Sequence, residues 1–343
     1  MTLGPRVFKT GFAVTLSLYI CFFFNLEPAV FAAVAAIFTI QPSIYRSWRQ
    51  LLDQVVTNTI GAAVALFSIY FLGDNPIIIG LLMMLVISLS LKMKMENTIP
   101  LTLVTVLAIM SAPGNEDIDF ILNRFFIILV GIGSALVVNL LIIPPNYKKN
   151  YLEKTTSVFQ NMSLLLRTAV SNELTETSFH EQSKKLQQDI RKLEDLYKIF
   201  DEERAKLSKL KPVDVREIVV FKQMLKTLQQ GEEILENIEE HYFQSGTSDE
   251  EDHLFDNHIE KLTKYHEYLF LKYEGKIKQQ ENDHELNEMK DSAEFFERAL
   301  DIYRQNKEQK FRLLIIASSI VEYTFHLQRL DQLIDQYYKV RKN

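Results

Sequence analysis

The sequence predicts an all-α protein in two parts: a six-helix transmembrane domain followed by a cytoplasmic α-helical bundle. Three observations carry that expectation. Residues 1–146 hold only seven basic and seven acidic side chains, while 147–343 hold the other 31 basic and 37 acidic ones and the whole net charge of −6. Long apolar runs crowd the first stretch. Apolar residues at helical 4-3 spacing fill the second. The predicted domains are therefore 1–146 in the membrane and 147–343 in the cytoplasm.

A spanning helix needs about 20 mostly apolar residues. Candidates lie at 7–24, 28–44, 55–72, 77–91, 98–112 and 120–143. Asn25-Leu26-Glu27-Pro28, Gly73-Asp74-Asn75-Pro76 and Pro113-Gly114-Asn115 separate some of them by turn chemistry. The run after Lys9 lacks a small-x-small cleavage site, so it reads as a span rather than a removed signal. Charges alternate by connection. Arg6, Lys9, Arg46, Arg49, Lys92, Lys94, Lys148 and Lys149 fall on one side. Glu27, Asp74, Glu116, Asp117 and Asp119 fall on the other, with Arg124 their one cation. This is the positive-inside pattern of a multi-pass cell-membrane protein with both termini cytoplasmic.

The two halves of the first part resemble each other. Pro28 to Pro42 and Pro100 to Pro113 are short middle segments bracketed by prolines, and Ile60-Gly61-Ala62-Ala63 parallels Ile132-Gly133-Ser134-Ala135. A 3+3 inverted repeat is one reading, and short segments at matched positions then point to a midplane site. Prolines at ordinary first-turn positions are the other.

Polar residues are sparse in the spans. Asn58 and Asn139 suit hydrogen bonds between helices, with substrate contact as the alternative. Lys9, Arg46, Arg49, Lys92 and Lys94 form a cytoplasmic ring of positive potential that would attract anions, or they serve topology alone. In Phe38–Arg49, the amide of Gln41, Pro42 and the two arginines read as the cytoplasmic end of the second span. They act there as an interfacial anchor or as a gate for carboxylates. The candidate pathway residues are thus Lys9, Gln41, Arg46, Arg49, Asn58, Lys92, Lys94 and Arg124. Gly11, Gly61, Gly131, Gly133 and Ser134 allow helices to pack closely, within one chain or between two. Cys21 is the only cysteine, which excludes an intrachain disulfide, and its apolar run makes it a core residue.

After Pro144-Pro145 the pattern becomes amphipathic helices, five or six in number. Their stripes run Leu186, Ile190, Leu193, Tyr197, Phe200; then Leu286, Met289, Ala293, Phe296, Leu300, Tyr303; then Ile316, Ile320, Tyr323, Leu327, Leu330, Ile334, Tyr337. Breaks are expected near 172–180, at Lys211-Pro212, at Ser245–Ser248 and near 280–284. No P-loop, GxSxG or HExxH motif occurs, so no ATP-driven pump or hydrolase is expected, and no cofactor or metal. The Asp249–His253 cluster reads as a solvated acidic turn. Acidic excess disfavours nucleic acid.

Several stretches together resemble the bacterial aromatic acid exporter family, a relative of fusaric-acid-resistance proteins and, distantly, of plant aluminium-activated malate channels. They are Arg6–Ala13, Phe31-Ala32-Ala33 through Gln41-Pro42-Ser43, Gly61-Ala62, and Asn123-Arg124 through Gly131 to Pro144-Pro145. The resemblance implies efflux of aromatic carboxylates, in a homodimer with paired cytoplasmic domains; with no ATP motif, export of these or other small organic anions would be driven by an ion or potential gradient. The alternative from a different class is a membrane-anchored interaction protein whose helical bundle docks a partner.

Overall fold

A computed structural model describes residues 5–40, 44–73, 75–110, 118–141, 147–170, 175–207, 215–242, 245, 247–277 and 283–341. The secondary structure of the described residues is helical, without strands. The chain divides into two compact units, Met1–Pro145 and Asn146–Asn343.

The first unit contains α1 (Pro5–Phe23), α2 (Val30–Thr39), α3 (Ile44–Leu72), α4 (Pro76–Lys92), α5 (Ile99–Met110) and α6 (Ile118–Leu141). Three helical stretches are long and apolar enough to cross a membrane: Arg6–Phe23, Tyr45–Leu72 and Leu122–Leu141. The apolar helices between them are shorter. α2 has 10 residues, a rise of only about 15 Å. It stops because Ile40 turns extended, at ψ 107°. α4 starts on Asn75, whose Oδ1 accepts from the Ile77 N–H at 3.2 Å, with Pro76 in the first turn where its missing N–H costs nothing. α3 ends at Gly73, φ +84°, a conformation that only glycine adopts without strain.

Two boundaries differ from expectation. The second helix ends at Thr39 rather than 44, and the third begins at Ile44 rather than 55. Arg46, Trp48 and Arg49 therefore open α3 instead of closing the second span. The segment 44–54 is helical despite its polarity because Ser47, Gln50 and Gln54 turn inward onto polar partners.

Packing sorts the six helices into two groups, α1/α2/α6 and α3/α4/α5, joined where α3 meets α6. Each group seats its short helix against a glycine of a long one. A Cβ on Gly131 of α6 would lie 2.2 Å from the Ala32 carbonyl oxygen of α2, and one on Gly61 of α3 would lie 2.9 Å from Thr102 Cγ2 of α5. The outward surface is apolar: Phe22, Phe23, Phe67, Phe71, Ile77 and Met84 are all more than half exposed. The interior instead buries Lys9, Gln50, Gln54, Asn58, Arg124 and Asn139. Such an inverted arrangement suits a chain whose surroundings are hydrocarbon.

The second unit contains α7 (Tyr147–Val170), α8 (Glu176–Leu207), α9 (Val215–Asn237), α10 (Asp249–Tyr273), α11 (Asp283–Gln305) and α12 (Lys307–Arg341). α9 packs along α12, and the remaining helices pack around this pair. Their shared core includes Phe159, Phe221, Met224, Leu228, Tyr323, Leu327 and Leu330; each such side chain contributes about 1.5–3 kcal/mol on burial. Gly231 lets α9 approach Met162 of α7, since a Cβ there would lie 2.2 Å from Sδ. The α12 stripe from Ile316 to Tyr337 is buried throughout. The α11 stripe is rotated from expectation: Ser292, Phe295 and Ala299 are buried, whereas Ala293 is exposed. Ser292 faces inward because its hydroxyl reaches His258 Nε2 at 3.2 Å and Thr324 at 2.9 Å. Leu286 and Met289 lie outside the residues whose side chains are described. The cluster Asp249–Asp252 is the first turn of α10, closed by a Ser248–Glu251 capping box that favours acidic residues there.

Candidate functional site

One face of α3 is buried along about six turns, and its first three are polar. It presents Ser47, Gln50, Gln54, Thr57 and its neighbour Asn58, then Gly61, Ala65 and Ser68, at steps of three or four residues from Ser47 to Thr57 and from Asn58 to Ser68. Partners come from three other helices. Lys9 of α1 donates its Nζ to Asn139 Oδ1 of α6 at 2.7 Å, and Asn139 Nδ2 donates to Ser47 Oγ at 2.8 Å. Gln50 Nε2 donates to the Asn97 carbonyl at 3.1 Å. Deeper along α3, Asn58 Oδ1 accepts from Gln54 Nε2 at 3.4 Å and from Thr105 Oγ1 of α5 at 3.3 Å, while Thr102 Oγ1 donates to Thr57 Oγ1 at 3.0 Å.

The seam is not fully paired. Gln54 Oε1, Ser68 Oγ and Ser134 Oγ are buried without a hydrogen-bond partner. Open valences of this kind, in a unit otherwise built of Leu, Ile, Val, Ala and Phe, suit transient polar contacts better than a finished core. Among the described residues of this unit, the buried charged side chains are Lys9 and Arg124. Both are cations. Among the described residues, neither is ion-paired to a carboxylate, so either could attract an anion.

The predicted pathway residues divide by position. Lys9, Asn58 and Arg124 are buried, and the hydrogen bonds between helices expected of Asn58 and Asn139 are present. Arg46 is half-buried at the start of α3. Arg49 is exposed, 3.7 Å from Asp53 one turn on. Lys92 and Lys94 are exposed where α4 ends, Lys94 in a left-handed conformation, φ 58°. Gln41 lies outside the described residues. Sequence reasoning missed Ser47, Gln50, Gln54, Thr102 and Thr105, and read Ser134 only as a small packing residue. The 3-4-3 polar spacing Ser47, Gln50, Gln54, Thr57 was the available signal, and it was hidden in a stretch assigned to a connection.

The second unit has two buried ionic knots. Glu217 Oε1 accepts from Tyr273 Oη at 2.9 Å, from Tyr337 Oη at 3.0 Å and from Lys148 Nζ, tying α7, α9, α10 and α12. Lys272 pairs with Asp331 and with Asp335. Burial disfavours the Lys272 ammonium, but the hydrogen bonds and charges of both aspartates outweigh it and raise its pKa. These knots hold helices together and expose no reactive group.

Lipid-facing apolar helices around a cationic polar seam define a helical membrane protein of transporter type. The chain belongs to the aromatic acid exporter family: residues 1–142 match the family profile described as aromatic acid exporter family member 1. It is 33% identical over 344 residues to the UPF0421 protein YgaE of Bacillus subtilis (strain 168), covering 98% of this chain and 96% of that one. It is also 31% identical over 160 residues to the UPF0421 protein OB2406 of Oceanobacillus iheyensis, covering 47% of this chain and 46% of the relative. To the UPF0421 protein BH2644 of Halalkalibacterium halodurans it is 32% identical over 166 residues, covering 48% of this chain and 46% of the relative.

Proposed function

We propose that the chain exports small organic anions, aromatic carboxylates foremost, through a six-span membrane domain formed by α1–α6, with α7–α12 as a cytoplasmic helical domain. The observation that carries this reading is a buried polar seam on α3 reached by the ammonium of Lys9, with a second buried cation, Arg124, apart from it, neither of them ion-paired to a carboxylate among the described residues. An anion crossing hydrocarbon needs replacement of its hydration by fixed donors, and this seam supplies ammonium, amide and hydroxyl groups in sequence. The charge pattern supports a topology with both termini in the cytoplasm, in which Lys9 marks the inner end of the route. The proposed driving force is an ion or potential gradient, a reading supported by a sequence without a P-loop motif.

The matched packing of α2 on α6 and of α5 on α3 supports a 3+3 inverted repeat in which the third helices exchange partners. Gly131 rather than Gly133 is then the counterpart of Gly61. A homodimer follows from the family resemblance. The test is accumulation of labelled benzoate in intact cells. Cells expressing the chain should hold several-fold less than vector controls, and equal accumulation across a panel of aromatic acids would sink the exporter reading.

A further inference from the structure

Arg124 sits in α6 beside Asn123, whose Nδ2 donates to the Glu27 carbonyl at 3.0 Å and so ties the start of α6 to the α1–α2 connection. The Arg124 side chain is 5% exposed. One face of its guanidinium is covered by Phe31 of α2, with Cζ 2.8 Å from the ring centroid. Nε and Nη1 are buried and have no hydrogen-bond partner.

A ring face satisfies a cation only in part. It leaves the in-plane N–H groups free, and a guanidinium whose donors are buried unpaired destabilises the packed state. An arginine so placed in an intramembrane setting persists where a ligand completes it. Because Phe31 occupies one face, the open valence lies in the guanidinium plane and requires an acceptor able to sit edge-on. Carboxylate and phosphate oxygens meet that requirement, whereas neutral carbonyls meet it more weakly.

We propose that Arg124 is an oxyanion-binding residue, one edge of its guanidinium, Nη2 together with Nε–H or with Nη1–H, taking the carboxylate of a small organic acid or the phosphate of an anionic lipid while Phe31 holds the guanidinium plane. The site deepens the exporter reading and rests on the first unit lying in the membrane. It is a second station, separate from the Lys9–Asn139–Ser47 chain.

The experiment uses the full-length chain in nanodiscs and reads thermal unfolding, which ligand binding raises by mass action. In phosphatidylcholine discs, benzoate should raise the unfolding temperature of the wild type. Arg124→Gln should unfold at a higher temperature than the wild type without benzoate, since the unpaired charge is gone, and should show no benzoate shift. Arg124→Lys, which keeps charge but loses the planar donors, should need about tenfold more benzoate or greater for the same shift. If phosphatidylglycerol discs stabilise the wild type but not Arg124→Gln, and benzoate does nothing, the oxyanion is a headgroup phosphate and the assignment of Arg124 stands.

Two results would overturn it. One is a benzoate and lipid response identical in Arg124→Gln and wild type. The other is ligand-free Arg124→Gln unfolding at a lower temperature than the wild type, which would make the guanidinium a structural clamp on Phe31. Transport is not the readout here. Absent flux with Arg124-dependent binding would sink the exporter reading alone, and intact flux with unchanged binding would sink this site alone.

Discussion

At Asn139 a single carboxamide serves two neighbours, its Oδ1 accepting from Lys9 and its Nδ2 donating to Ser47, so three helices meet at one side chain. Replacing it with leucine keeps the volume but strands an ammonium and a hydroxyl inside the unit. The expected cost is about 1–3 kcal/mol, read as a lower midpoint of unfolding in detergent; Ser47→Ala should cost less, because the alanine leaves no unmet donor of its own. An unchanged midpoint for Asn139→Leu would show that the chain of bonds does not support the fold.

The buried histidines of the second unit make a pH prediction. Burial lowers His258 to about 4, helped by nearby Lys261 and opposed by Asp291, and burial lowers His266 to about 3 among the rings of Phe159, Phe270 and Tyr323. Both are neutral when folded and gain protons near the ordinary histidine value when unfolded. Stability is therefore fully present above about pH 6.5 and falls as the pH drops toward 4. His258 alone should account for about 3 kcal/mol of that loss, and His258→Gln should flatten the slope between pH 6 and 4.5 in denaturant melts. A slope unchanged by the substitution would place the acid sensitivity elsewhere. Lys9, Asn58 and Arg124 were legible as candidates because a polar residue in an apolar run stands out. Ser47, Gln50 and Gln54 were not, because the neighbouring Pro42, Arg46 and Arg49 mimic the chemistry of a membrane interface.

Among the elements, α2 and α5 are short and depend on glycines opposite them. Gly131→Ala would drive a methyl group into the Ala32 backbone of α2, which cannot rotate away, and should cost about 1–3 kcal/mol as an overpacked contact. Gly133, two residues on and on the other side of α6, has nothing within 4 Å of an added Cβ, so Gly133→Ala should not lower the unfolding midpoint. Equal effects at the two positions would contradict the α2–α6 packing. The helices themselves were readable from period and turn residues. Their register was harder: α11 turned by about a residue because Ser292, polar by composition, has buried partners in His258 and Thr324. The break between α11 and α12 falls at Asn306, where neither glycine nor proline signals it.

For the whole molecule, the composition shifts near residue 146 and the chain divides into compact units Met1–Pro145 and Asn146–Asn343; the proposed placement of one in hydrocarbon and the other in water would demand such different surfaces. Orientation rests on the alternating charges alone. In a Cys21→Ala background, a cysteine at Asp74 should react with an impermeant maleimide on intact cells, and one at Lys94 should react only after permeabilisation. The reverse pattern would invert the topology. Transport itself was legible only through the family resemblance, since no pathway residue belongs to a motif with chemistry of its own. The most direct test reconstitutes the purified chain in liposomes and follows labelled benzoate under an imposed membrane potential without ATP. The account predicts flux well above that of empty liposomes, and about tenfold less or lower for Lys9→Met at equal protein, because the cation at the inner end of the seam is lost. Flux no greater than in empty liposomes, or undiminished by Lys9→Met, would contradict it.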